Sequence, residues 1–122
     1  MADYGDITFW QYIASNTPES VVLQQDVGWT LVAEKDPIAM VKAYPGRTLT
    51  THFKAPEFET PKGTPIVGQD GINWLPIYQA TAAVGGAKWV VLEQEQYPNG
   101  LTPLEAVAAS KQGFDSIITA GN

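Results

Sequence analysis

Cysteine is absent from this 122-residue chain. That excludes disulfides, thiolate catalysis and zinc-finger sites, and it agrees with a reducing cytoplasm, the compartment expected here. Basic clusters are absent too: seven Lys and Arg stand against thirteen Asp and Glu, a formal net charge of -6. Binding to duplex or single-stranded nucleic acid normally rests on a basic patch, so nucleic acid is not an expected partner. Acidity of this size mainly favours solubility. No apolar run approaches the roughly 20 residues that a membrane span needs, so no membrane partner is expected. The acidic start Met1-Ala2-Asp3-Tyr4-Gly5-Asp6 does not read as a signal peptide.

What is present is enough for one domain over residues 1–122, with 44% hydrophobic residues and four Trp, five Tyr and four Phe to anchor a core. Periodicity gives the order α, β, α, β, α, β, α. A first helix is expected over 7–14, with Asp6 as N-cap and Phe9, Trp10 and Ile13 on one apolar face. A strand follows over 20–25, and 29–34 is ambiguous, at most a helical turn. Asp36-Pro37 starts a second helix. Tyr44-Pro45-Gly46-Arg47 turns the chain into a strand over 49–54. Residues 55–71 read as a long loop, of a length often functional, whose glycines lack the spacing of a phosphate loop. Asn73 is expected to cap a helix over 74–84, closed by Gly85-Gly86. A strand over 88–94 and a turn at Tyr97-Pro98-Asn99-Gly100 come next. The capping box Thr102-Pro103-Leu104-Glu105 opens a last helix to about residue 118, weak at Gly113. Trp10, Trp74 and Trp89 are assigned to the core, and Lys42 and Lys111 to helix surfaces. Strands alternating with helices indicate an α/β fold with a helix-covered parallel sheet.

Three residues carry the functional reading. Asp26, His52 and Glu93 each follow an apolar run that reads as a buried parallel strand. In a parallel βα array the carboxyl ends of the strands lie on one side, where active sites form. Two carboxylates and an imidazole suit a divalent metal such as Mn²⁺, Mg²⁺, Co²⁺ or Zn²⁺. Each residue also has an ordinary explanation: Asp26 as a turn or cap, His52 as a hydrogen-bonded core residue, Glu93 as a solvated strand end. Glu95 shares a face with Glu93 but lies further out, so Glu93 is preferred as ligand.

Taken together, Leu23-Gln24-Gln25-Asp26-Val27-Gly28-Trp29 with Asp36-Pro37, Tyr44-Pro45-Gly46-Arg47 into Thr51-His52-Phe53-Lys54, Gly71-Ile72-Asn73-Trp74, and Trp89-Val90-Val91-Leu92-Glu93-Gln94-Glu95 resemble the xylose-isomerase-like sugar phosphate isomerase/epimerase family. The resemblance covers nearly the whole chain. It implies a partial (β/α)₈ TIM barrel, about three parallel strands with four flanking helices, matching the last three strands of a complete barrel. It implies one divalent metal held by Asp26, His52 and Glu93 as the second, third and fourth ligands of the family's Glu, Asp, His, Glu set. The first Glu would sit on a strand before Ile7, which this chain lacks; Asp3 and Asp6 lie near that point but follow no strand-like run.

The implied chemistry is aldose–ketose isomerisation or ketose epimerisation through an enediolate, with Glu93 as both ligand and acid/base. The substrate would be a sugar or sugar phosphate. Trp29 and Lys54 would contact it, and Phe53 would help to shape the pocket. Metal binding needs a neutral imidazole at His52, so acid should weaken it. Without the opposing Glu, two-sided chemistry and metal affinity should both be impaired in the chain alone. Open sheet edges and an uncovered barrel interior, with Val22, Gln24, Thr50 and Val91 facing inward, lead to the expectation of a homodimer or of a partner carrying the amino-terminal half barrel. The competing function is a non-catalytic half-barrel assembly module. A relation to metal-dependent abasic-site endonucleases is disfavoured by the acidity and the single His.

Overall fold

The computed structural model of the chain describes residues 3–57 and 63–121. It starts with a small antiparallel hairpin, β1 (Asp3–Tyr4) and β2 (Ile7–Thr8), that the apolar pattern did not disclose. The hairpin shifts the first helix: α1 is Phe9–Ser15, and its N-cap is Thr8 rather than Asp6. Thr8 and Gln11 form a reciprocal capping box, in which each side chain accepts from the other's backbone N–H.

Next come β3 (Gln25–Asp26), α2 (Val27–Val32), α3 (Pro37–Ala43), β4 (Thr50–Phe53), α4 (Trp74–Ala83), β5 (Trp89–Leu92) and α5 (Pro103–Ala120). The three later strands form one parallel sheet in the order β3-β4-β5. Asp26 lies beside His52, and His52 beside Val91. Among the described residues five α-helices therefore accompany the sheet where four were expected, because the ambiguous stretch after Asp26 closes into α2. Asp36 and the Thr102/Glu105 capping box start α3 and α5 as anticipated, whereas Asn73 makes no side-chain capping bond at α4. Glycine at 113 does not interrupt α5. Any side chain there would run into the carbonyl of Val67, so the glycine lets the loop before α4 lie flat on the helix.

Side chains alternate across a strand, and here the two sheet faces differ sharply. Thr51 and Phe53 point to the helices and are fully buried. Phe53 packs on Trp74 at 5.0 Å and edge-on to Phe114 at 5.7 Å, within a core completed by Val27, Val67 and Ile77. Phe53 is thus a core residue and shapes no sugar pocket. The opposite face is open. Trp89 is 73% exposed, so its assignment to the core is wrong; Val22 and Val91 on the expected inner surface are also exposed. Trp74 is buried as expected, and Trp10 only partly.

The described part of the 55–71 loop is less free than its composition suggested. Ile66 and Val67 are fully buried. Its middle, residues 58–62, lies outside the described residues, as do Met1 and Ala2. Among the described residues no helix is long and apolar enough to cross a membrane.

Candidate metal centre

The sheet brings Asp26, His52 and Glu93 together at its carboxyl edge. Their positions follow from the register. His52 is next to Asp26 in the ladder, and Glu93 extends β5 by one residue, donating its N–H to the Phe53 carbonyl at 3.0 Å. Because Phe53 turns to the helices, His52 turns to the open face, where Glu93 also lies.

The Asp26 carboxylate does two things at once. Oδ1 accepts from Trp29 N at 3.0 Å and caps α2. Oδ2 faces the cluster, 3.8 Å from His52 Nδ1. The capping and ligand readings are therefore compatible, since the cap fixes the carboxylate in the orientation that frees its second oxygen. His52 Nδ1 donates to Glu93 Oε2 at 2.9 Å. One ligand atom from each of the three residues lies within 4.8 Å of the others. Two donors bound to one cation at about 2.1–2.3 Å stand at most roughly 4.5 Å apart, so the triad fits a divalent ion with little movement. The side chains are partly open, at 23%, 34% and 32% exposure for Asp26, His52 and Glu93, which leaves room for a further ligand.

Lys54 follows His52 by two residues and shares its face. It is only 4% exposed. Its ammonium lies 3.2 Å from Glu95 Oε2, 3.8 Å from Asp26 Oδ2 and 4.4 Å from the centre of the Trp29 ring. These are charge and cation–π contacts, the shortest of them the 3.2 Å ion pair with Glu95. Contact with Lys54, then with Glu93, holds the Glu95 carboxyl below its usual range. Glycine at 28 makes this closeness possible: a Cβ there would stand 2.7 Å from the Lys54 carbonyl oxygen. Trp29 is half exposed and covers the ammonium.

Glu95 thus belongs to the cluster through Lys54, which the sequence reading placed further out. Gln94 and Ser110 escaped it altogether. Gln94 Nε2 donates to the carbonyls of Pro65 and Gln96, both at 2.6 Å, and its Oε1 accepts from Ser110 Oγ at 2.6 Å. This fastens the segment bearing Glu93 and Glu95 to α5 and to the preceding loop. The available signal was a polar Ser110, fully buried on the packed face of α5.

Comparisons with known proteins agree with the fold. No protein-family model matches the chain. The inosose dehydratase of Lactiplantibacillus plantarum is 28% identical over an alignment of 109 positions that covers 76% of this chain and 36% of that protein. The crystal structure of a sugar phosphate isomerase/epimerase from Parabacteroides distasonis superposes with a TM-score of 0.66 at 26% identity, covering 91% of this chain and 36% of that one. The chain therefore spans about a third of the length of each.

Proposed function

We propose, with the chain taken as a partial-length member of the xylose-isomerase-like sugar phosphate isomerase/epimerase family and its fold as part of a TIM barrel, that the triad holds a divalent metal for aldose–ketose isomerisation or ketose epimerisation. The observation that carries this reading is the convergence of Asp26, His52 and Glu93 on one point at the carboxyl edge of a parallel sheet. When bound, the ion would polarise substrate oxygens and steady an enediolate. The residues supply the rest. Asp26, with one oxygen fixed by the α2 cap, presents the other. His52 orients Glu93, and Glu93 moves the proton next to the carbonyl. Lys54 and Trp29 line the substrate side. The opposing carboxylate that two-sided proton transfer needs has its family position before Ile7, where this structure has the β1–β2 hairpin. The chain alone is therefore expected to be impaired.

The test is calorimetry with Mn²⁺. One ion per chain should bind, and His52→Ala should weaken binding by about 10–100-fold or abolish it. No binding at millimolar Mn²⁺, or unchanged binding by the variant, would overturn the metal reading.

A second reading is favoured by the open face: an assembly module completed by another copy or by an amino-terminal half barrel. Trp89 at 73% exposure, with Val91 and Val22, is an unusual apolar surface to leave in water. Light scattering after gel filtration should find a dimer; a well-behaved monomer argues against self-assembly.

A further inference from the structure

We propose that Gln94 is the positioning residue of the site, the side chain that aims Glu93 at the triad and Glu95 at Lys54, and that Ser110 on α5 acts through it. The proposal rests on the metal reading above and adds to it the residues that hold a ligand in place.

The need arises where the sheet stops. β5 ends at Leu92, and the bond from Glu93 N to Phe53 O is the last rung of the ladder. From Gln94 to Tyr97 the main chain makes no backbone–backbone hydrogen bond among the described residues. The Glu93 and Glu95 side chains are 32% and 44% exposed. Two acids on a released stretch of chain sample many orientations, and a ligand that must be ordered on binding binds more weakly.

Gln94 removes that freedom. It stands between the two acids, and the alternation that sends Glu93 and Glu95 to the open face sends Gln94 to the helices. Nε2 donates to Pro65 O and to Gln96 O, and Oε1 accepts from Ser110 Oγ, all at 2.6 Å. The bond to Gln96 O closes a ring of chain that contains Glu95. Ser110 is fully buried, and its hydroxyl also accepts from Val67 N at 3.3 Å. One amide thus ties the strand exit to the loop before α4, to α5 and to its own continuation.

These bonds fix the residue type. A glutamate of the same shape could not donate to two carbonyls, and a lysine could not accept from Ser110. The effect reaches the site through the neighbouring residue. Glu93 Oε2 meets His52 Nδ1 at 2.9 Å, and Glu93 supplies one of the three ligand atoms that converge. Groups that orient a ligand from outside the metal's own contacts typically set affinity by about 10–100-fold.

His52 is the only histidine of the chain, so the ¹⁵N shifts of its imidazole report on the site without metal. Which ring nitrogen keeps the proton follows from the bond to Glu93. At about pH 8.5, where a free imidazole is neutral, the wild-type ring should carry its proton on Nδ1. In Gln94→Met this form should give way to the Nε2–H tautomer. Mn²⁺ calorimetry on the same chains should find binding about 10-fold weaker in Gln94→Met. Ser110→Ala keeps the two carbonyl bonds and should weaken it by less; it also carries the test if Gln94→Met does not fold. Thr81→Ala removes a buried hydroxyl bonded to Ile77 O inside α4. It should lower the urea midpoint and leave tautomer and affinity as they are. Wild-type tautomer and affinity in whichever of the two network variants folds, or equal weakening by Thr81→Ala, overturns the proposal. If the wild-type chain binds no Mn²⁺, the metal reading falls, and the tautomer comparison decides whether Gln94 aims Glu93.

Discussion

Arg47 and Lys54 stand at opposite ends of β4, both all but buried, at 5% and 4% exposure. Their surroundings differ. The Arg47 guanidinium donates to Ala14 O at 2.8 Å, Val21 O at 3.0 Å and Thr17 Oγ1 at 2.9 Å, neutral acceptors in the last turn of α1 and on the segment that leads from it to β3. Lys54 has two carboxylates and an indole around it. A satisfied buried cation ties segments together. One held among carboxylates instead gathers charge at the strand end. The amino edge of the sheet is thus tied together by neutral hydrogen bonds, whereas the carboxyl edge holds its cation in a cluster of carboxylates.

The contrast can be broken by mutation. Arg47→Met should have the largest effect, a loss of about 2–4 kcal/mol, because three carbonyl or hydroxyl acceptors are stranded. Urea titration would measure it, and Mn²⁺ affinity of the folded variant should not change. Gly28→Ala comes next, at about 1–3 kcal/mol, since the new methyl meets backbone at Lys54 and must push α2 away. Unlike the arginine variant, it should also weaken metal binding, by displacing Asp26. Lys54→Met should cost only about 1 kcal/mol in the same titration, because its ion pairs lie at a partly open edge; an effect as large as that of Arg47→Met would erase the distinction.

The smallest effect concerns pH. Burial is the main influence on Asp70 and raises its carboxyl above the ordinary range, against the bonds from Trp74 Nε1 and Ile72 N. A carboxyl raised in the folded state binds its proton more tightly there than when unfolded. Its contribution to stability is therefore greatest below the unfolded value, about 3.9, and is lost as pH rises through the raised one. The stability of Asp70→Asn minus that of wild type should rise across that window, in urea midpoints taken from pH 3.5 to 7. A flat difference would show that Asp70 is buried without strain.

Much of the site was legible because strand ends announce themselves. Asp26, His52 and Glu93 each close an apolar run, and parallel strands put such ends together. The orientation of their neighbours was legible too and was misread. Trp89, Val91 and Glu93 have the same parity on one strand, so a Glu93 that faces the site carries Trp89 to the open side. Phe53, one residue after His52, must face the helices. Periodicity alone assigned large apolar residues to a core without asking which face has one. Other features had no local signature. The strand expected over 20–25 shrinks to Gln25–Asp26 because β3 lies at the edge of the sheet and the residues before it have no ladder partner. The Gln94–Ser110 fastening joins residues far apart in the chain, and only tertiary packing reveals it.

The indole of Trp29, stacked on the Lys54 ammonium, has an optical consequence. A positive charge held against one side of an excited indole shifts the colour of its emission. Events that pull the ammonium away, whether an ion settling on Asp26 or an oxygen drawing Nζ aside, should therefore change the emitted wavelength. A spectrum compared with that of Trp29→Phe would therefore watch the ammonium move without any added label.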